Sequence, residues 1–483
     1  MTTDALAPQD GDAETPSPAR LEDPTPGARI TPPRPRSERS RASALRKLLV
    51  GRGNILAAMN ERMHRGWMGR SNLLVHRTFL INQPDLVRRV FVERPDDFPK
   101  HILYLRALGS LLGRSLFVVN GAEWRRQRRM IDPAFAGGRL REAFPEMRDA
   151  AETLVARLKD GADGELIEID AEMSRFAADV IFRTLFSRPI DDAAAGRVFE
   201  ALARFQAAAP FASVRNLVGA PSWWRRAFPS KADRAGAEIQ ELLRPLVAEQ
   251  RRAVEAGAAP ANLCAALVAA DDPETGERFS DQELVEQIAL FFLAGHETSA
   301  SALSWAAYLI ARDRPVQERM RAEAAAAYGN RAPEFGDLRA LPFTRDVLRE
   351  TLRLYPPVPF VARQALKTER FRDDRVSPGS SVLVSAWFLQ RHERIWDDPH
   401  VFDPDRWRRE DGKAQAREAY IPFTTGARAC VGAGFAMQEG VLALTALVSR
   451  FRIEADPDVE PEPVAQVTLR AKNGIQVRLT PAG

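Results

Sequence analysis

The sequence predicts a mainly helical protein with small β-sheets (α+β), and three features carry that expectation. Residues 139–260 keep apolar positions at helical spacing almost throughout. A longer, nearly all-apolar helix is expected from Asp281 to Ala311. Between Pro357 and Trp387, two short runs alternate like strands bounded by Pro and Gly. With 483 residues, 45% hydrophobic and 28% charged, the chain can build a sizeable core. The formal net charge is +4, and only 7 of the 69 basic residues are lysines, so the high pI comes from arginine. Those arginines are spread along the chain, which argues against a nucleic-acid arm. Cys264 and Cys430 are too few and too distant for a disulfide framework, so a reducing, cytoplasmic setting is expected.

In chain order, the first 36 residues hold eight prolines among polar residues, and residues 1–40 are read as a disordered tail ahead of a single domain, 41–483. The tail lacks the pattern of a secretory signal or a membrane anchor. An amphipathic stretch follows from Arg41 to Met63, then a short strand from Arg77 to Asn82 and a helix from Asp85 to Val92. Pro99 to Asn120 is irregular and apolar. Gly161, Pro210, Pro221 and Pro229 break the helical region, and Phe205–Phe228, with Phe211, Trp223 and Trp224, is an aromatic, Pro-interrupted segment.

The long helix opens on a capping box, Ser280 and Glu283, and would span ~45 Å at 1.5 Å per residue. Its middle, Ala294-Gly-His-Glu-Thr-Ser299, is an abrupt polar cluster whose burial is costly unless each group finds a partner. Trp124 and Arg128 lie four apart on one helix face and could both donate to a carboxylate. Glu350 and Arg353 lie three apart on a helix that Pro356 and Pro357 stop; such a pair is usually a surface contact, and here the buried alternative is favoured. Late in the chain, Phe423-Thr-Thr-Gly-Ala-Arg-Ala-Cys-Val-Gly432 sets one cysteine in a glycine-flanked loop before an apolar helix. Backbone N–H groups and the helix dipole there favour an anion, Phe423 can shield the sulfur, and Arg428 adds positive charge. Gly426 and Gly432 permit tight turning and close approach of a flat partner. A thiolate with no neighbouring histidine or second cysteine suits a haem iron better than zinc.

Phe-x-x-Gly-x-Arg-x-Cys-x-Gly resembles the haem-binding motif of the cytochromes P-450, met here by Phe423, Gly426, Arg428, Cys430 and Gly432. Three further motifs stand upstream in the family's order. Trp124-x-x-x-Arg128 resembles the pair that holds a haem propionate, with Arg363 as a second partner. Ala294-Gly295-x-Glu297-Thr298 resembles the oxygen-activating turn, in which Ala294 and Gly295 give room for O2 and substrate while Thr298 and Glu297 deliver protons. His296 is not given a ligand role. Glu350-x-x-Arg353 with Arg406 resembles the structural triad that keeps the cysteine loop in register. The resemblance covers roughly residues 45–483.

It implies a triangular fold with a long central helix and haem b (iron protoporphyrin IX) between that helix and the cysteine loop, the iron carried by Cys430. It further implies a soluble bacterial-type monooxygenase, a monomer without a membrane anchor, that inserts one atom of O2 into an apolar small molecule. Phe291, Phe292, Val358, Phe360, Val361 and Ile475, the last at the Asn473–Ile475 hairpin tip, would line the pocket, roofed by residues 99–120 and covered by 205–228. Only 53 residues follow Cys430, with no flavin or iron–sulfur segment, so electrons are expected from a separate ferredoxin or flavodoxin with its reductase, docked by arginines such as Arg125, Arg126 and Arg129. A haem-thiolate peroxygenase and a non-catalytic haem sensor are the competing readings; the retained Glu297-Thr298 pair weighs against both.

Overall fold

The computed structural model describes residues 30–35, 51, 53–73, 76–159, 162–208, 227–465 and 467–482. The helices that build the body are α1 (Leu103–Leu112), α2 (Gly121–Ile131), α3 (Gly137–Lys159), α4 (Ile169–Phe186), α5 (Ala193–Ala207), α6 (Lys231–Glu255), α7 (Asp281–Arg312), α8 (Arg314–Tyr328), α9 (Pro342–Leu354) and α10 (Ala433–Arg450). The expected α+β architecture is present. A four-stranded sheet forms from β1 (Met68–Leu73), β2 (His76–Ile81), β4 (Phe360–Gln364) and β7 (Ser381–Ser385), in the order β1-β2-β7-β4. Its β2–β7 pairing is parallel, joining Thr78 to Ser381 across three hundred residues of chain. A second sheet has the order β3 (Leu166–Glu168), β11 (Gln476–Pro481), β8 (Phe451–Ala455).

Helix α7 begins where the sequence places it, because Ser280 and Glu283 make the reciprocal capping box. Its first half, Leu284 to Phe292, belongs to one apolar cluster with α1, α5 and α6. Its second half, Ala302 to Ile310, belongs to another with α9 and α10. The polar turn 293–301 lies where those two cores part. Helices α4 and α7 approach closely at Gly295, where an added Cβ would lie 2.3 Å from Ile181 Cδ1.

Several expectations are corrected. Residues 30–35, read as part of a loose tail, pack on the body: Ile30 is buried, its carbonyl accepts the Phe402 N–H at 2.9 Å, and the Pro33 carbonyl accepts the Tyr355 hydroxyl at 2.8 Å. Proline-rich extended chain makes no internal hydrogen bonds, so its carbonyls remain available to such partners. The irregular stretch 99–120 contains α1, whose buried Leu108, Leu111 and Leu112 supply the apolar face. Asn473–Ile475 is not a hairpin tip, since the strand before it, β10 (Leu469–Ala471), pairs with β9 (Pro463–Ala465), whereas β11 after it pairs with β3 and β8. Gly474, at φ +73°, makes the turn between the two sheets. Phe211, Trp223, Trp224, Gly161, Pro210, Pro221 and residues 41–50 lie outside the described residues.

Where α7 crosses α10, the buried Glu439 carboxyl accepts the Ser299 hydroxyl at 3.1 Å, and its other oxygen has no partner. Burial pushes this carboxyl from an ordinary 4.5 up to about 8. The folded state therefore holds a proton that the unfolded chain releases, and stability falls as pH rises between those values. Replacing Glu439→Gln is expected to remove this contribution, worth at most about 1.4 kcal/mol per pH unit. Thermal unfolding across that window should show a flatter pH profile in the variant and a higher melting temperature than wild type at the alkaline end.

Candidate active site

The loop before α10 is shaped by backbone strain. Gly426 sits at φ +75°, and an added Cβ there would lie 2.2 Å from the Phe91 carbonyl oxygen, so only glycine fits. Thr424, at φ +59°, adopts a left-handed conformation that β-branched residues seldom take. The turn closes through the Cys430 N–H on the Phe423 carbonyl at 3.0 Å and the Ala429 N–H on the Gly426 carbonyl at 3.0 Å. Phe423 is half-buried against the larger core.

Cys430 keeps accessible surface, yet protein surrounds it closely enough that burial pushes its thiol pKa up, opposed by the Gly432 N–H and the Arg128 charge. A desolvated thiol that keeps accessible surface borders space that the protein's own atoms do not fill. Beside Gly432 an added Cβ would meet only Cys430 Sγ, at 3.9 Å. On α7, Ala294 is exposed, with Leu293, Gly295 and Thr298 half-buried, although Phe291, Phe292, His296 and Glu297 around them are buried. An exposed alanine in the middle of a core helix is the same signature. Loop residue Val431 and helix residue Leu293 pack on one apolar cluster, and Phe435 packs on both clusters. The thiol loop and the polar turn thus border the same seam.

Buried positive charge gathers there. Lys100 and Arg363 hold only carbonyl oxygens and Arg428 only the Asn120 amide oxygen, with Asp96 the one carboxylate whose charge Arg428 feels, and Arg428 Nε has no hydrogen-bond partner. Burial, with Arg428, Arg363 and Arg128 adding repulsion, pushes Lys100 down to about 6. Burial likewise lowers Arg363 to about 10, with Arg428 contributing. Trp124 lies between Lys100 at 5.8 Å and Arg428 at 5.1 Å. Uncompensated buried cations are expensive, so this cluster calls for an anion.

Glu350, Arg353 and Arg406 are all 1% exposed or less. Arg353 uses every donor: Nε and one terminal nitrogen hold Glu350 at 2.9 and 2.7 Å, and the carbonyls of Gln390, Pro399 and Val401 take the rest. Arg406 Nε reaches Glu350 at 3.4 Å, and its other nitrogens hold the carbonyls of Asp397 and Asp398.

A thiol at a helix start, a core helix with an accessible polar turn and a cation cluster short of carboxylates fit an anionic, metal-bearing group. Sequence comparison agrees, for the family model described as "Cytochrome P450" matches residues 45–479. The chain belongs to the cytochrome P450 family. It is similar to cyclooctatin synthase of Streptomyces melanosporofaciens, 33% identical over 75% of this chain and 77% of that protein. It resembles cyclooctat-9-en-7-ol 5-monooxygenase of the same organism at 32% over 79% and 81%. With pentalenene oxygenase of Streptomyces avermitilis the identity is 30% over 82% and 86%. The protein is accordingly a cytochrome P450 monooxygenase, and membership implies a haem cofactor, O2, a small-molecule substrate and a redox partner. Among the described residues no helix is long and apolar enough to cross a membrane.

The P450 site departs from the expected roles in places. Gly295, half-buried, meets Ile181 of α4 so closely that packing there requires glycine, and Ala294 beside it is exposed. Arg428 donates to Asn120 at 3.1 Å, and the cation felt by the Cys430 thiol is Arg128, which also holds the Ala429 carbonyl at 2.8 Å. Phe292 packs on Phe182 at 4.9 Å and Ile475 is 1% exposed, so both belong to the core. Phe291 is buried against Phe135 at 5.1 Å. Val358, Phe360 and Val361 stay half-exposed. Arg125, Arg126 and Arg129 are paired with Asp96, with Glu283 and Glu277, and with Asp272 and Glu274, so none is a free docking charge. Lys100 was missed: a lone lysine in an apolar stretch gives no periodic signal, and only its bridge to Arg363 places it in the cluster.

Two substitutions test this P450 scaffold. Glu350→Ala leaves two buried guanidinium groups without their carboxylate and is expected to cost about 3–5 kcal/mol, read as a lowered melting temperature and lost pigment. Gly295→Ala should cost about 1–3 kcal/mol through collision with Ile181, with part of the loss recovered by adding Ile181→Val in thermal unfolding.

Proposed function

We propose that this P450 hydroxylates or epoxidises an apolar, hydrocarbon-rich terpenoid of the kind named in its relatives, an alkenol and pentalenene. The observation that carries the reading is the accessible Ala294–Thr298 stretch of α7, which has no charged side chain of its own but Glu297; Val358, Phe360 and Val361, half-exposed, are taken to face the substrate there. In this reading Cys430 would hold haem b through its sulfur, and Lys100, Trp124, Arg128, Arg363 and Arg428 would hold its carboxylates. The bound haem supplies the activation of O2 that inserts one oxygen atom into the substrate.

The chain's own residues do the rest. The Cys430 sulfur would hold the iron as a thiolate; burial raises its proton affinity, and the Gly432 N–H and the Arg128 charge favour the anion. The Thr298 hydroxyl now donates to the Ala294 carbonyl at 2.6 Å. Turning away from that carbonyl aims its proton into the cavity, and Glu297 replenishes it from the solvent side. Apolar walls exclude water and hold the substrate by shape. Electrons come from a ferredoxin or flavodoxin with its reductase, the protein working as a cytoplasmic monomer with one catalytic unit.

Titrating the ferric protein with pentalenene and other cyclic terpenes should shift the spin state. Cys430→Ser should abolish the carbon monoxide difference band, and a retained band would overturn the ligand assignment. Thr298→Ala should keep terpene binding while product formed per reductant consumed falls at least about tenfold.

A further inference from the structure

A second group of arginines faces a bounded space away from the site described above. Strand β1 lies against β2 with Arg70 opposite Phe79, and Arg77, two residues before Phe79, shares their face of the sheet. A two-residue turn joins β5 (Glu369–Phe371) to β6 (Asp374–Val376), setting Phe371 opposite Asp374 and Arg370 opposite Arg375. The two hairpins meet through the buried rings of Phe79 and Phe371, edge to face at 6.5 Å, and through Arg70 on Asp374 at 2.6 Å. Between them lies a groove of about 220 Å³ lined by Arg70, Arg77, Phe79, Asp374 and Arg375. None of these residues belongs to the cysteine loop, the polar turn of α7 or the cation cluster around Lys100.

The groove's one carboxylate, Asp374, is spent on Arg70. Neither Arg77 nor Arg375 has a hydrogen bond or ion pair among the described residues, so two positive charges face the groove uncompensated. Arg375 also stands directly across its hairpin from Arg370, an unfavourable pair of like charges on an exposed face. The turn between them is strained. Arg372 sits at φ +54°, where a two-residue hairpin loop ordinarily uses glycine or asparagine, and its guanidinium is anchored on Gln83 Oε1 at 2.9 Å. An anion between the hairpins relieves the excess charge, and planar guanidinium forks match the oxygens of a phosphate better than a spherical ion. At about 220 Å³ the groove is smaller than the ~300–1,000 Å³ pockets that enclose drug-sized molecules, so only a small head group fits within it.

We propose that Arg77 and Arg375, with Arg70, form a binding site for the phosphate or diphosphate group of a soluble small molecule, held between the two hairpins and separate from the haem site. Asp374 works against the ligand, because it repels the anion and occupies Arg70.

The test titrates inorganic phosphate and pyrophosphate into the haem-loaded protein by calorimetry at constant ionic strength. Pyrophosphate should bind saturably, once per chain, and more tightly than phosphate. Arg77→Ala combined with Arg375→Ala should weaken it at least about tenfold, whereas Asp374→Asn should tighten it about three- to tenfold. Arg314→Ala, which removes an arginine paired with Glu318 on α8, should leave it unchanged. The gain expected in Asp374→Asn is one that a damaged fold does not produce. Wild-type affinity in the double arginine variant, weaker binding in Asp374→Asn, or no saturation below ~10 mM would each overturn the site. Sedimentation with phosphatidylglycerol vesicles, reversed by pyrophosphate, would overturn the soluble ligand in favour of a lipid headgroup.

Discussion

The fully buried bond between Glu350 and Arg353 is the constraint on which the cysteine loop depends. Arg353 reaches past Glu350 to the carbonyls of Gln390, Pro399 and Val401, and Arg406 reaches back to Glu350 from the following turn. Segment 390–403 is thereby fastened to α9 at several points. Gln390 passes the restraint on, donating to the Leu352 carbonyl and accepting the Ile421 N–H at 2.8 Å. The Ile421 carbonyl accepts the Thr424 N–H, and the Phe423 carbonyl accepts that of Cys430. An unbroken path of hydrogen bonds runs from a charge pair with no access to water to the residue that carries the thiol. The strained φ at Thr424 is sustainable only because both ends of its turn are pinned in this way.

The opposite problem is posed by Lys100, Arg363 and Arg428. Here charge is buried without a partner, and the low proton affinities of Lys100 and Arg363 show what the cluster costs when only protein surrounds it. A protein that carries such a cluster stores unfavourable free energy that a bound anion relieves. Ligand binding at this site therefore stabilises the fold as well as equipping it.

Much of this was legible in the sequence because it follows from spacing. The Glu350–Arg353 pair, the Ser280–Glu283 cap and the Cys430 loop are local patterns, and local geometry dictates each of them. What escaped depends on distant chain. Lys100 joins the cluster only because its segment bridges to Arg363, more than 250 residues on. Gly295 and Ala294 are neighbours of like size, and which one meets the cavity depends on how α4 rotates Ile181 against α7. Ile475 looked like a hairpin tip because its flanks alternate, but its flanking strands pair with strands in different sheets. The prolines of residues 30–35 suggest disorder by composition, and the acceptors they supply to Phe402 and Tyr355 become visible only once those partners are placed.

The polar turn of α7 ties these features together, since all but one of its polar side chains are spent on other packed elements. His296 contacts Ser174 of α4 at 2.8 Å, Glu297 meets Gln206, Thr468 and Arg470, Ser299 holds Glu439 of α10, and Ser301 holds the Leu469 carbonyl. Thr298 alone in this set bonds within its own helix, to Ala294. Moving any of the others unfastens α7 from a packed element, at the cost of a buried unsatisfied group of about 1–3 kcal/mol. Moving Thr298 unfastens nothing but the carbonyl of exposed Ala294. Of five neighbouring polar residues, it is the one whose hydroxyl can change partners without disturbing the fold, and this supports the proposal that gives it the proton-handling step.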